Sequence, residues 1–269
     1  MSKKILLTDE QEKQICELTI NKTQSEIAKQ FNLSQSYIHG IIKKHKINFG
    51  GRFRFNKTIL KVDVNYFDII DSNKKAYWLG YLSADGHINK INTKCTLTSI
   101  DLEIIQKFKD DIKSEHKISE NFNLDKRTKK TYKHYTIQIT NKNFVLNLNK
   151  HGITQFKSDV FNVPKMDEKY LSYFFAGMFD GDGCVGERKN NKPRISLIST
   201  KEVLLFLQKY LMDKLNISKT KLQRVTINKN NVWKISLYGD SLLFLNWIYS
   251  DNNFNYLNRK HEKYLSFIR

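Results

Sequence analysis

The pattern of apolar and polar positions divides the chain into a short helical head and a longer mixed region. In the head, Thr8 with Gln11 and Thr23 with Glu26 have capping-box spacing: each threonine stands three residues before a side chain that can return its hydrogen bond. The first box opens a helix with Ile15, Leu18 and Ile20 as its apolar positions, and the second opens TQSEIAKQF. Ser34 can cap a third helix, SQSYIHGIIKKH. Ala28 is small where two helices would cross, Leu33 would fill the angle between them, and Asn32 suits a left-handed turn position. Residues 1–47 are therefore predicted to form a small all-α helix-turn-helix domain. Its third helix would turn Gln35, Ser36, Tyr37, His39 and Lys43 outward, either as a DNA-reading surface or as the solvated face of a plain three-helix scaffold.

Residues 48–75 read as a basic linker. Gly50-Gly51 breaks the preceding helix, and Arg52 and Arg54 alternate with Phe53 and Phe55. Two readings stand: a segment lying along a DNA groove with its arginines on phosphates, or a connector whose aromatics dock on the next domain.

From residue 76 the pattern repeats. AYWLGYLSADG (76–86) and YFFAGMFDGDG (173–183) are both apolar helices ending in a small residue, Asp and Gly. After each, the same order follows: a strand pair, a helix (DLEIIQKFKDDI or KEVLLFLQKYLMDKL), a second strand pair and a closing helix (FVLNLNKHG or SLLFLNWIYS). Two tandem αββαββα units, 76–160 and 161–269, make an α+β fold. Gly80 and Ala84 are four apart, as are Gly177 and Gly181, so each helix carries a small-residue face that lets two backbones approach closely. Packed along that face, the helices would bring Asp85 and Asp182 together at their ends. Two converging carboxylates repel unless divalent cations bind between them.

Charge sharpens this picture. The 269 residues include 46 Lys+Arg against 27 Asp+Glu, a formal net charge of +19, which argues for a polyanionic partner. The excess is not a tail: segments 117–134, 188–194 and 219–234, which fall on the predicted strands and loops, hold 15 basic and 2 acidic residues. The candidate DNA contacts there are Lys117, Lys126, Arg127, Lys129, Lys130, Lys133, Arg188, Lys189, Lys192, Arg194, Lys219, Lys221, Arg224, Lys229 and Lys234. Cys16, Cys95 and Cys184 are odd in number and widely spaced, which excludes a disulfide framework or zinc site and suits a reducing compartment. The longest apolar stretch, Tyr170 to Phe179, is too short to span a bilayer, so the expectation is a soluble intracellular protein with no membrane partner.

WLGYLSADG (Trp78–Gly86) and FAGMFDGDG (Phe175–Gly183) resemble the two motifs of single-chain LAGLIDADG homing endonucleases, and the resemblance covers about residues 60–269. It implies a monomer whose motif helices form a pseudo-two-fold interface beneath a saddle of antiparallel sheets lying in the major groove of double-stranded DNA. It further implies metal-binding carboxylates at Asp85 and Asp182, backbone ligation from Ala84 and Gly181, and Mg²⁺ as the suited ion for such hard oxygens. Lys157 and Lys260 recur near the ends of the two units and take the place of the family's active-site basic residue, with Arg259 as the neighbouring alternative to Lys260. Gln138 and Lys234 are weaker candidates for positioning water. At the sixth motif position Ser83 replaces the usual acid, whereas Asp180 keeps it; that position is not the usual metal ligand, so the change bears on local capping more than on catalysis. The implied activity is Mg²⁺-dependent double-strand cleavage of a long duplex target. The alternatives are an RNA maturase acting on intron RNA and a non-catalytic transcription regulator on the same scaffold.

Overall fold

The computed structural model describes residues 7–19, 22–45, 60–125, 128–189, 191–225, 231–251 and 254–269, in two compact units, Met1–Ile59 and Leu60–Arg269. In the first unit, α1 (Asp9–Leu18), α2 (Gln24–Gln30) and α3 (Gln35–Lys44) start where the sequence marks them. Both capping boxes are closed, and the Ser34 hydroxyl accepts from Tyr37 N. Asn32 turns the chain with φ of 51°. Ile15, Ile27, Ala28, Ile38, Ile41 and Ile42 form the core, with Leu33 packed against it. Glu12, next to that core, takes Lys44 Nζ at 2.7 Å and His45 Nε2 at 2.5 Å. Ile20 and residues 46–59, with Arg52 and Arg54, lie outside the described residues.

The second unit is built on α4 (Asn73–Asp85) and α8 (Leu171–Asp182), helices buried on nearly every side. A Cβ placed on Gly80 would fall 1.9 Å from Phe174 O, and one on Gly177 would fall 1.9 Å from Tyr77 O. Backbone meets backbone at both points, so only glycine is admitted. After α4 come β1 (His87–Ile88), β2 (Lys94–Ser99), α5 (Leu102–Asp111), β3 (Ile118–Leu124), β4 (Thr131–Thr140), α6 (Lys142–Lys150) and the short α7 (Lys157–Val160). After α8 come β5 (Gly183–Arg188), β6 (Lys192–Ser199), α9 (Lys201–Leu215), β7 (Gln223–Arg224), β8 (Trp233–Leu237), α10 (Ser241–Tyr249) and α11 (Asn258–Leu265). The two four-stranded antiparallel sheets have the same order, β1-β2-β4-β3 and β5-β6-β8-β7. The α+β fold of tandem repeats is therefore as the sequence indicates; α7 and α11 are additions that the repeat comparison left unassigned.

One face of each sheet feeds a core common to both repeats, from Ile88, Leu97 and Ile137 in the first to Ile195, Leu197 and Ile235 in the second. Residues 60–75, expected within the linker, belong to this unit: Tyr66, Phe67 and Ile70 are buried in the same core, because aromatic surface at this spacing gains more from packing than from exposure. Among the described residues no helix is long and apolar enough to cross a membrane.

His116 fixes the entry to β3. Its Nε2 accepts from Thr140 N at 3.1 Å, so its Nδ1–H is the donor to Ser114 Oγ at 2.9 Å, which defines a neutral imidazole. Burial lowers its pKa below the ordinary 6.5. The unfolded chain then binds the proton more readily, so this contribution is complete above pH about 6.5 and is lost as the pH falls through the depressed folded value. Urea titrations across that range should show His116→Gln with a flatter acid-side decline than wild type; identical slopes would contradict this account. Gly80→Ala and Gly177→Ala should each lower unfolding stability by about 3 kcal/mol, read from the urea midpoint of the second unit. Gly40, inside α3, has nothing within 4 Å of an added Cβ. Gly40→Ala should stabilise the first unit by about 1 kcal/mol, seen as slower amide exchange in α3.

Candidate functional site

The two motif helices end on their acids. Gly86 and Gly183 follow in extended conformation and lead directly into β1 and β5. Near these ends the helices remain close: a Cβ on Gly181 would lie 2.4 Å from Ala84 Cβ and 3.3 Å from Asp85 Oδ2. Carboxylates at helix C-termini face the negative pole of each macrodipole, so the location disfavours anions and attracts cations. Both aspartates are exposed on one side, while the protein packed on the other thins their hydration. That desolvation, with the charge of Asp182 added, pushes Asp85 up to about 6, against the pull of Lys260, Lys157 and the Tyr81 hydroxyl. Desolvation also raises Asp182, against Lys157 and Lys260.

The structure brings both candidate lysines to this place. Lys157, the first residue of α7, sends its Nζ to Ser83 O and Ala84 O, each at 2.8 Å. Lys260, on α11, sends its Nζ to Phe179 O at 2.6 Å, Asp180 O at 2.8 Å and Gly183 O at 2.5 Å. The two residues are 7% and 5% exposed, unusual for lysine. Lys157 thus meets two carbonyls that the C-terminus of α4 leaves without helical partners, and Lys260 does the same for Asp180 O of α8 while also reaching Phe179 O and Gly183 O. Burial lowers both lysines, Lys260 to about 8. Arg259 does not join the site; its Nε donates to Asp101 Oδ2 at 3.0 Å.

The remaining candidates divide by strand register. On the first sheet, Thr96 lies opposite both His87 and Gln138, and Thr98 opposite Thr136, with the two hydroxyls 3.0 Å apart. These residues share the polar face, and Gln138 is exposed there. Lys117, Lys129 and Lys130 are exposed beside and beyond it. Lys133 does not share that face: it alternates with Tyr135 and Ile137 on the core side, and pairs with Glu120 at 2.8 Å. On the second sheet, Cys184, Arg188, Lys192, Arg194, Ser196, Lys234 and Ser236 share the polar face. Cys184, Arg194, Ser196, Lys234, Ser236 and Tyr238 line a cavity of about 190 Å³ on it. Arg188 stands directly opposite Lys192, a like-charge pair that a polyanion would relieve. Arg224 pairs with Trp233 and so lies on the opposite side of the sheet. Lys189, Lys219 and Lys221 are exposed outside the strands. In the first unit Gln35, Ser36, Tyr37, His39 and Lys43 are all exposed on α3. Lys126, Arg127 and Lys229 lie outside the described residues.

Sequence reasoning passed over the role of Asp180. Its carboxylate, 1% exposed, accepts from Tyr77 Oη at 2.7 Å, from Leu257 N at 2.7 Å and from Tyr249 Oη. An acid inside an apolar helix was the available signal, because a buried carboxylate needs several donors.

Residues 72–152 and 169–257 each match the model of the LAGLIDADG-like domain. Among solved structures, the homing endonuclease I-WcaI bound to its DNA recognition sequence is similar at 17% identity, over 77% of this chain and 92% of that one, with a TM-score of 0.47. I-DmoI in complex with DNA and Ca is similar at 14% identity, over 73% and 96%, with a TM-score of 0.45. Full-length DUF199/WhiA from Thermatoga maritima is similar at 16% identity over 77% of this chain, with a TM-score of 0.43, and the match spans 65% of that protein's length. No curated protein matches the chain. With both copies of the domain covering well over half of its residues, the chain belongs to the LAGLIDADG-like domain family.

Proposed function

We propose that the chain is a sequence-specific DNA endonuclease that cuts both strands of a long duplex with the help of a divalent cation. The observation that carries this reading is the meeting of Asp85 and Asp182 at two abutting helix C-termini, with a buried lysine behind each. The donor set fits Mg²⁺ or a similar hard ion: carboxylates, with the carbonyls of Ala84 and Gly181 beside them. Ala84 O already accepts from Lys157, but a carbonyl has a second lone pair.

When bound, the cation supplies charge neutralisation at phosphorus and lowers the pKa of its water. The protein's own groups orient the rest. Lys157 and Lys260 hold fixed positive charge at their Nζ atoms beside the acids, where negative charge develops during phosphodiester hydrolysis. The polar sheet faces support groove recognition: Gln138 and the threonines of the first sheet offer amide and hydroxyl groups, and Arg194 and Lys234 of the second offer cationic donors. Exposed lysines at the margins suit phosphates. The exposed face of α3 in the first unit supports a further DNA contact.

Incubation of purified protein with Mg²⁺ and a library of long duplexes tests the reading. Wild type should cut a subset of the library and lose that activity in EDTA. Asp85→Asn and Asp182→Asn should each retain binding but cut at least about a hundredfold more slowly, the scale of losing one electrostatic stabiliser. Specific binding by wild type with no cleavage would sink the enzyme reading and leave a DNA-binding regulator.

A further inference from the structure

The two motifs differ at their sixth position, Ser83 against Asp180, and the structure gives that difference a consequence. The Asp180 carboxylate accepts the amide of Leu257, the residue just before α11, at 2.7 Å. The Asp180 backbone carbonyl accepts from Lys260 Nζ at 2.8 Å. One residue therefore holds both the backbone at the start of α11 and the ammonium that this helix delivers. Tyr77 and Tyr249 donate to it as well, so the carboxylate cannot turn away without stranding buried hydroxyls.

The strap leading into α11 is fixed from its other side by the first repeat. Lys107 Nζ donates to Tyr256 O at 3.0 Å and to Asn258 Oδ1 at 2.9 Å, and Asn258 N donates to Glu103 Oε1 at 2.9 Å. Ser83 lacks this reach. Its carbonyl accepts Lys157 Nζ at 2.8 Å, as Asp180 O accepts Lys260, but its hydroxyl donates back to Gly80 O, one turn up its own helix, at 2.6 Å. The strap around Lys157 is held elsewhere, by Thr200 Oγ1 on Phe161 O at 2.6 Å and Asn231 Nδ2 on Asp159 O at 3.2 Å.

We infer that Asp180 is the positioning residue for Lys260, and that Asp180 against Ser83 makes the two half-sites unequal, so that one strand's cleavage depends on Asp180 and the other's does not. The inference rests on the endonuclease reading. Within it, Asp180 touches neither substrate nor ion; it acts by holding an ammonium in place, and a displacement of about 1 Å at such a group is enough to slow a reaction strongly.

Strand-resolved kinetics test this with a duplex target carrying a different fluorophore on each strand, full-length protein and Mg²⁺. Asp180→Asn should slow the cut on one strand by about tenfold or more and leave the other within about twofold, so nicked duplex accumulates. The pair Glu103→Gln with Lys107→Ala alters only half-exposed side chains on α5 and should slow the same strand. Loss shared equally by both strands, or no loss, in folded variants overturns the positioning role. If Asp180→Asn does not fold, the α5 pair decides by the same criterion. Wild type that cuts neither strand overturns the endonuclease reading itself and this inference with it, whereas wild-type cleavage with equal losses in the variants overturns the inference alone.

Discussion

The structure depends on two backbones being allowed to touch. Helices separated by ordinary side chains pack with axes about 8–10 Å apart. Here a single methyl on Gly80 or Gly177 would fall 1.9 Å from a carbonyl oxygen of the facing helix, so the pair sits closer than side-chain packing permits. Around the seam both helices carry large buried side chains, including Trp78, Leu79, Phe175 and Phe179. Each helix is clamped from outside by its own repeat and admitted to its partner by glycine. The helix ends must then meet, and the acids that end them must share one patch of space.

That meeting creates an electrostatic difficulty which the lysines partly resolve. A helix C-terminus leaves carbonyls without partners, and a buried ammonium has lost its water; either alone is costly. Placing Lys157 and Lys260 on those carbonyls meets both needs with the same bonds. The carboxylates are not neutralised in the process, since neither lysine bonds to them through the hydrogen bonds described above. Asp85 stays raised to about 6, first because the protein packed around it thins its hydration and then because Asp182 stands beside it.

Much of this was legible because it rests on local spacing. Gly80 with Ala84 and Gly177 with Gly181 announce the seam, and the motif ends announce the acids. The capping residues Thr8, Thr23 and Ser34 fix helix starts within a few residues of themselves. What escaped depends on register or on distant partners. Lys133 was grouped with its basic neighbours by charge, yet strict alternation from Ile137 through Tyr135 assigns it to the core side. Arg224 could not be assigned to a face before its pairing with Trp233 was known, because the connection to β8 is long enough to permit several registers. Asp180 was read as an acid of local capping, because its partners Tyr249 and Leu257 lie 69 and 77 residues away along the chain.

A chain that carries both repeats is also free to make them unlike. A two-fold homodimer must present the same side chains twice and is best matched to a palindromic duplex. Here the shared plan stops at the backbone: both sheets have the same strand order, but their polar faces differ in chemistry. The first displays Thr96, Thr98, Thr136 and Gln138, hydroxyls and an amide that can both donate and accept. The second displays the hydroxyls of Ser196 and Ser236 as well, but adds Arg188, Lys192, Arg194 and Lys234, which only donate and carry charge. The same divergence reaches the ends of the motif helices, where Ser83 is turned onto its own helix and Asp180 onto a strap braced by the other repeat. In the endonuclease reading, unlike faces favour a target whose two halves differ in sequence. Unlike braces then make the order in which the strands are cut a property of the protein as well as of the DNA.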